Sequence, residues 1–292
     1  MKRVNRREFL RTASAAALGA AAALPLLGQE PEKKSKVVLI RHKSVIGNDG
    51  ELNPGILDGM LDEAVTALFE AASPHDAWTH VAGASDVVGI KTNVWRPLHT
   101  PPELEQTIRN RLVAAGVAPG NIDIDDRGIL SNPIFQRATA LVNVRPMRAH
   151  AWSGVGGCLK NYIMFTPSPP DYHPDSCVDL GALWKLPAVK GKTRLNILVM
   201  LTPQFHCIAP HHFDREYTWV YGGLLVGTDP VAVDAVGLRI IEAKRRLYFK
   251  EETPMRPAPK HIAAAEKKHG VGIASMERIN LIRLGSVEGI LL

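Results

Sequence analysis

The chain has 292 residues, 46% of them hydrophobic, and a formal net charge of +6 at pH 7. Residues 1–28 carry five basic side chains against one acid, Glu8, a net of +4, so the remainder is near +2 and gives no electrostatic case for nucleic-acid or membrane-surface binding. Three cysteines, Cys158, Cys177 and Cys207, none in C-x-x-C spacing, exclude the usual iron–sulfur and zinc-ribbon patterns.

Residues 1–28 read as a targeting segment. Lys2, Arg3, Arg6, Arg7 and Arg11 form a basic head, and Arg6-Arg7 precede Phe9-Leu10 as in twin-arginine export signals. The small-residue run 13–27 is too short and too weakly apolar to span a bilayer, so no membrane span is expected in the mature chain. Such a signal implies the twin-arginine export machinery as a partner, transit in the folded state and a periplasmic destination. Residues 29–35 are polar and charged and read as a flexible tether. Residues 36–292 are long enough for a single large core, read as one domain. In an oxidising compartment one cysteine pair could form a disulfide, with the choice of pair open.

The segment 36–42 (KVVLIRH) predicts a first strand, and 56–72 has apolar residues at helical spacing (Ile56, Met60, Ala64, Leu68, Ala72). Residues 86–94 (DVVGIKTNV) predict a second strand, 101–116 a helix with Pro near its start and Gly after its end, and 121–126 a short third strand. A fourth strand is expected over 140–144, ending where Arg145-Pro146 begins a loop. The stretch 154–161 holds three glycines (Gly154, Gly156, Gly157), then Cys158, Lys160 and Asn161. Glycines let backbone N–H groups approach a ligand, and a helix starting near Cys158 adds positive potential, so this loop predicts an anion site; a plain tight turn explains it equally well. Further elements are a helix over 178–186, a buried strand over 196–201, a strand over 223–226, and a helix from Asp229-Pro230 to about Arg246. A helix over 261–268 and a strand over 279–284 close the chain. Strands alternating with helices predict an α/β fold: a three-layer, mainly parallel sheet with helices on both faces.

Ligands of such sheets bind outside the carboxyl ends of the strands. Three polar groups are expected there: Lys91 with Asn93, Arg145 with Arg148 and His150, and Thr228 with Asp229. Asp229, before a helix-starting proline, is also explained as a helix cap. Asp234 falls on the apolar helix face of Gly237, Leu238 and Ile241, where an unpaired carboxylate costs several kcal/mol; a cationic or metal partner and a structural hydrogen bond are both open. His206, Cys207, His211, His212 and His173 match no metal spacing and read as loop residues. Hydrolase-elbow, zincin, Walker and dinucleotide-binding motifs do not occur in the sequence.

VGIKTNVW (88–95), the run 141–161 and GTDPVAVDAV (227–236) together resemble the domain-of-unknown-function 362 family, and HIAAAEKKHGVGI fits its C-terminal pattern. The resemblance marks Lys91, Asn93, His150, Lys160, Asn161, Asp229 and Asp234; Arg148 stands where lysine is usual, which keeps the charge and changes donor geometry. Many relatives carry a ferredoxin-like module with two cysteine clusters, and this sequence has none, so no iron–sulfur motif is expected.

The expectation is a cationic pocket for an anionic small molecule, with His150, Lys160 and Asp234 as catalytic candidates. Lys91, Asn93, Arg148, Gly156, Gly157 and Asn161 are the ligand-binding candidates. Asp229 and Asp234 could hold a divalent metal, which hard carboxylates would favour as Mg²⁺, Ca²⁺ or Mn²⁺. All four of Lys91, His150, Lys160 and Asp234 are expected in one pocket, with Lys160 paired to Asp234. The alternative is a non-catalytic accessory or maturation protein for an exported redox or metalloprotein partner.

Overall fold

The computed structural model describes residues 34–292; the expected signal and all but the last two residues of the tether lie outside it. Lys34 is described as coil, and Ser35 already begins the first strand, β1 (Ser35–Arg41). Next come α1 (Pro54–Phe69), α2 (Pro74–Thr79), β2 (Val88–Lys91), α3 (Pro102–Ala114) and β3 (Ile122–Asp125). After a short helical turn α4 (Pro133–Gln136) come β4 (Ala140–His150), β5 (Gly154–Gly156) and the four-residue α5 (Cys158–Asn161). The chain closes with β6 (Thr193–Gln204), β7 (Gly223–Gly227), α6 (Pro230–Phe249), α7 (Lys260–Lys267) and β8 (Ile279–Gly285).

The eight strands form one mixed sheet in the order β3-β2-β4-β6-β7-β1-β8, with β5 paired to β4. Ladder directions make β1, β2, β3, β4, β6 and β8 run one way, while β7 and the short β5 run against them. The fold is therefore the expected three-layer, mainly parallel α/β arrangement.

The layers follow from strand periodicity. Val38 and Ile40 of β1 join one core with Leu57, Leu61 and Val65 of α1, Trp78 of α2, and Leu104 and Ile108 of α3. Val37 and Leu39, one residue out of phase, join the other with Val233, Val236 and Ile240 of α6 and Ile262 of α7. A strand buried on both faces reads as a continuous apolar run, as KVVLI and NILVML do. The helix starts follow local chemistry. Asn53, Ser73, Asn132 and Asp229 each accept a first-turn N–H, with proline opening the helix behind them.

One expectation is corrected and two are made specific. β4 does not stop at Val144 but continues through Pro146 to His150, because the register against β6 shifts between Pro146 and Arg148. A bulge there lets the strand carry a residue without an N–H. Residues 178–185 form a 3₁₀ helix and not an α-helix. All three cysteines are free thiols, with Cys158 and Cys177 buried.

Candidate functional site

The carboxyl edge of the parallel strands carries a cleft of about 210 Å³ lined by Asn93, Trp95, Asp126, Arg145, Arg148, His150, Trp152, Lys160, His173 and His211, among others. In a regular strand Arg145 and Arg148, three apart, would point to opposite faces. The shift between Pro146 and Arg148 brings both to this cleft. Gly156, on β5 opposite Arg148, leaves room for the first guanidinium, since a Cβ there would lie 2.8 Å from Arg145 Nη2. The Arg148 guanidinium lies 3.7 Å from the ring centroid of Trp95, in cation–π geometry.

Lys160 enters from the short helix α5. Among the described residues its ammonium meets only the Cys177 thiol, at 3.5 Å. Cys177 stands at the end of a left-handed turn in which Asp175, Ser176 and Cys177 all have positive φ (46°, 61° and 60°). Such a run is strained for residues with a Cβ, which marks the thiol's position as imposed by its surroundings. Its Sγ also approaches the Trp152 carbonyl at 3.5 Å. Trp152 packs against His173 with the rings tilted by 43° and centroids 4.4 Å apart, and meets His211 edge-on, so aromatic rings wall the mouth.

The charge balance of this cleft is unusual. Arg145, Arg148 and Lys160 are exposed by only 4%, 7% and 4%. Among the described residues neither arginine makes a side-chain hydrogen bond or salt bridge, and both Nε atoms are buried without a partner. The lining carboxylate of Asp126 is already engaged by Lys91 and by the Val94 N–H, at 3.0 Å. Burial, then repulsion from the two guanidiniums, brings Lys160 down to about 8, although Cys177 favours its charged form. Burial and the neighbouring Arg145 bring Arg148 down to about 9. Burial and the same cations hold His150 neutral, far below its ordinary value. Its Nδ1 accepts the Trp152 N–H at 3.2 Å, so the neutral ring carries its proton on Nε2. Buried cations with unmet donors are costly, and an anion offsets that cost.

The remaining expected residues fall elsewhere. Lys91 lies beneath the cleft, wholly buried, donating to Asp126, to the Thr92 carbonyl at 2.7 Å and to Asn161 Oδ1 at 3.4 Å. Burial lowers it to about 8 despite Asp126, so it serves as the buried half of an ion pair. Asn161 lines the cleft yet spends its amide on the Lys91 and Val144 carbonyls and on Asn143 Oδ1, tying β2 and β4 to α5. Asn93 lines the cleft as expected.

Asp234 does not reach the cleft, and its pair with Lys160 does not form. Its two oxygens accept the N–H groups of Cys158 and Leu159, at 2.6 and 2.8 Å. The anion that the glycine loop predicts at the start of α5 is thus the protein's own carboxylate, supplied by α6. Gly157 is required for this approach, because a Cβ there would lie 2.2 Å from Asp234 Oδ1. Burial raises Asp234 to about 7, while the two N–H donors and Arg145 act in the opposite sense.

Asp229 sits at the opposite edge of the sheet. β7 runs against its neighbours, so its carboxyl end lies where the parallel strands begin; there Asp229 caps α6 and meets Ser35 and the Ile273 N–H. Asp229 and Asp234 therefore spend their oxygens on separate structural donors. No group of three or more metal-ligating side chains occurs among the described residues.

Sequence reasoning missed Asp126, Cys177 and the aromatic wall. Asp126 was visible as the carboxylate that ends the predicted strand 121–126. Nothing local signals Cys177, which only the strained turn brings to Lys160.

No helix among the described residues is long and apolar enough to cross a membrane. Comparison with curated proteins and with solved structures found no match. Residues 126–239, which run from Asp126 through β4, the glycine loop and Lys160 to α6, match the family described as Domain of unknown function (DUF362).

Proposed function

We propose that the cleft at the carboxyl edge binds a small anion, through a carboxylate, phosphate or sulfate group, and that acid–base chemistry on the bound molecule is within its reach. The observation that carries this reading is the set of three buried cations, Arg145, Arg148 and Lys160, with two unpartnered Nε atoms and no free carboxylate beside them. The two guanidiniums suit the planar recognition of an oxyanion, and the Nε2 hydrogen of neutral His150 supplies a third donor. Lys160, brought down to about 8, is the group able to exchange a proton with the ligand. The twin-arginine pattern of the leader favours work outside the cytoplasm after export in the folded state.

A thermal-shift panel of carboxylates, phosphates and sulfate against chloride tests the reading. Stabilisation by at least one multivalent oxyanion, lost in Arg148→Gln, is expected. A flat response of the folded wild type to every anion would overturn it. Purification from the periplasm bears on the accessory-protein alternative: a stoichiometric protein partner in place of any anion response would favour that role.

A further inference from the structure

Four features of the cleft go beyond anion binding. First, among the described residues Lys160 is not held as an ammonium by any carboxylate: its one partner is a thiol, Cys177 Sγ, 3.5 Å away. Second, two guanidiniums line the same small cleft and suffice to bind a carboxylate without it. Third, the Trp152, Ile163 and Met164 side chains give part of the lining an apolar character. Fourth, the His150 ring, neutral and protonated on Nε2, can donate to an oxygen in the cleft.

We infer that the cleft takes a compact 2-oxo acid, with its carboxylate on Arg145 and Arg148 and its ketone carbon captured by the Lys160 amine as an imine. This rests on the anion-binding reading and names the substrate class of the same site. A lysine beside other cations in a desolvated pocket is the arrangement that activates an amine toward carbonyls. With Lys160 near 8 in place of 10.5, the free amine at neutral pH is roughly 300-fold more abundant than in an ordinary lysine. Burial raises the Cys177 thiol, which keeps it protonated and leaves the amine as the competent nucleophile.

The step balances within the site. The ammonium gives one proton to solvent, and the amine nitrogen adds to the ketone carbon as the carbonyl oxygen takes a proton, aided by His150. The carbinolamine then loses that oxygen as water. With the nitrogen left protonated, ammonium and ketone have become iminium and water, with no net proton released. The cationic iminium places an electron sink beside the substrate carboxylate, as needed for decarboxylation or for bond making at the neighbouring carbon.

Reductive trapping tests this on the wild-type protein. Pyruvate, oxaloacetate and 2-oxoglutarate are each incubated with the protein and sodium borohydride, and adducts are mapped by peptide mass spectrometry. Lactate, which has the carboxylate but no ketone, serves as the control. The expected result is a reduced 2-oxo-acid adduct on Lys160, absent with lactate and absent in Lys160→Arg. If lactate and pyruvate both stabilise the protein while Lys160 stays unmodified, the imine is refuted and anion binding survives. Adducts on surface lysines alone, with Lys160 spared, also refute it. Neither stabilisation nor adduct would remove both readings. Because the decisive site is mapped in the wild type, a poorly folding variant would not blunt the result.

Discussion

Replacing Lys160 by methionine should make the anion-free protein more stable, not less. Lys160 is 4% exposed and faces two guanidiniums with only a thiol for a partner. Its drop from 10.5 to about 8 corresponds to about 3 kcal/mol by which the folded environment disfavours the charged form. At pH 7 the folded chain still protonates it and bears that cost. Between about pH 8 and 10.5 the unfolded chain binds more protons at this lysine than the folded chain does. Wild-type stability from this group therefore rises with pH across that window. Lys160→Met removes the term, which already includes the thiol contact. Urea unfolding at pH 7, in chloride without multivalent anions, should show the variant about 3 kcal/mol more stable. Its advantage should shrink towards pH 10.5. Comparing variant with wild type at each pH cancels most of the contributions of Lys91 and the cysteines. A variant less stable than wild type at both pH values, or a gap that does not change with pH, would refute the account of an uncompensated buried cation.

Other outcomes follow from the same geometry. Affinity for a stabilising oxyanion should fall as pH rises above about 8, where Lys160 loses its proton, and Lys160→Arg should hold that affinity to higher pH, as calorimetric titration would read. Gly157→Ala should cost about 3 kcal/mol or more in urea unfolding, because its Cβ would displace the Asp234 carboxylate from two N–H groups. Gly120→Ala, where a Cβ meets nothing within 4 Å, should cost under about 1 kcal/mol. Lys91→Met should cost about 3–5 kcal/mol by leaving Asp126 without its cation, and adding Asp126→Asn should restore part of that; additive losses in the double variant would contradict the pairing.

The strands and helices were legible because their signals are local. Runs such as KVVLI announce strands buried on both faces, and Asn53-Pro54 or Asp229-Pro230 announce helix starts through capping alone. The cationic character of the site was legible for a similar reason, as Arg148, His150 and Lys160 lie within one continuous stretch of chain. What each polar group does was not. The direction of β7 decides which edge Asp229 occupies, and strand direction is a property of the whole sheet, so a strand-end rule applied to its sequence gives the wrong edge. The bulge after Pro146 turns Arg145 and Arg148 to one side, against the strict alternation that sequence reading assumes. Asp234 could be recognised as a buried carboxylate in need of a partner, yet the partners proved to be backbone N–H groups of α5, which carry no side-chain signature. By itself, then, the sequence determined the α/β class and a concentration of positive charge near β4. Only the tertiary structure decided which charges are satisfied: Lys91 by Asp126 and the start of α5 by Asp234, with Arg145, Arg148 and Lys160 left without a direct carboxylate partner among the described residues. Pairing depends on side chains from distant segments meeting within about 4 Å, and spacing along the chain does not encode that.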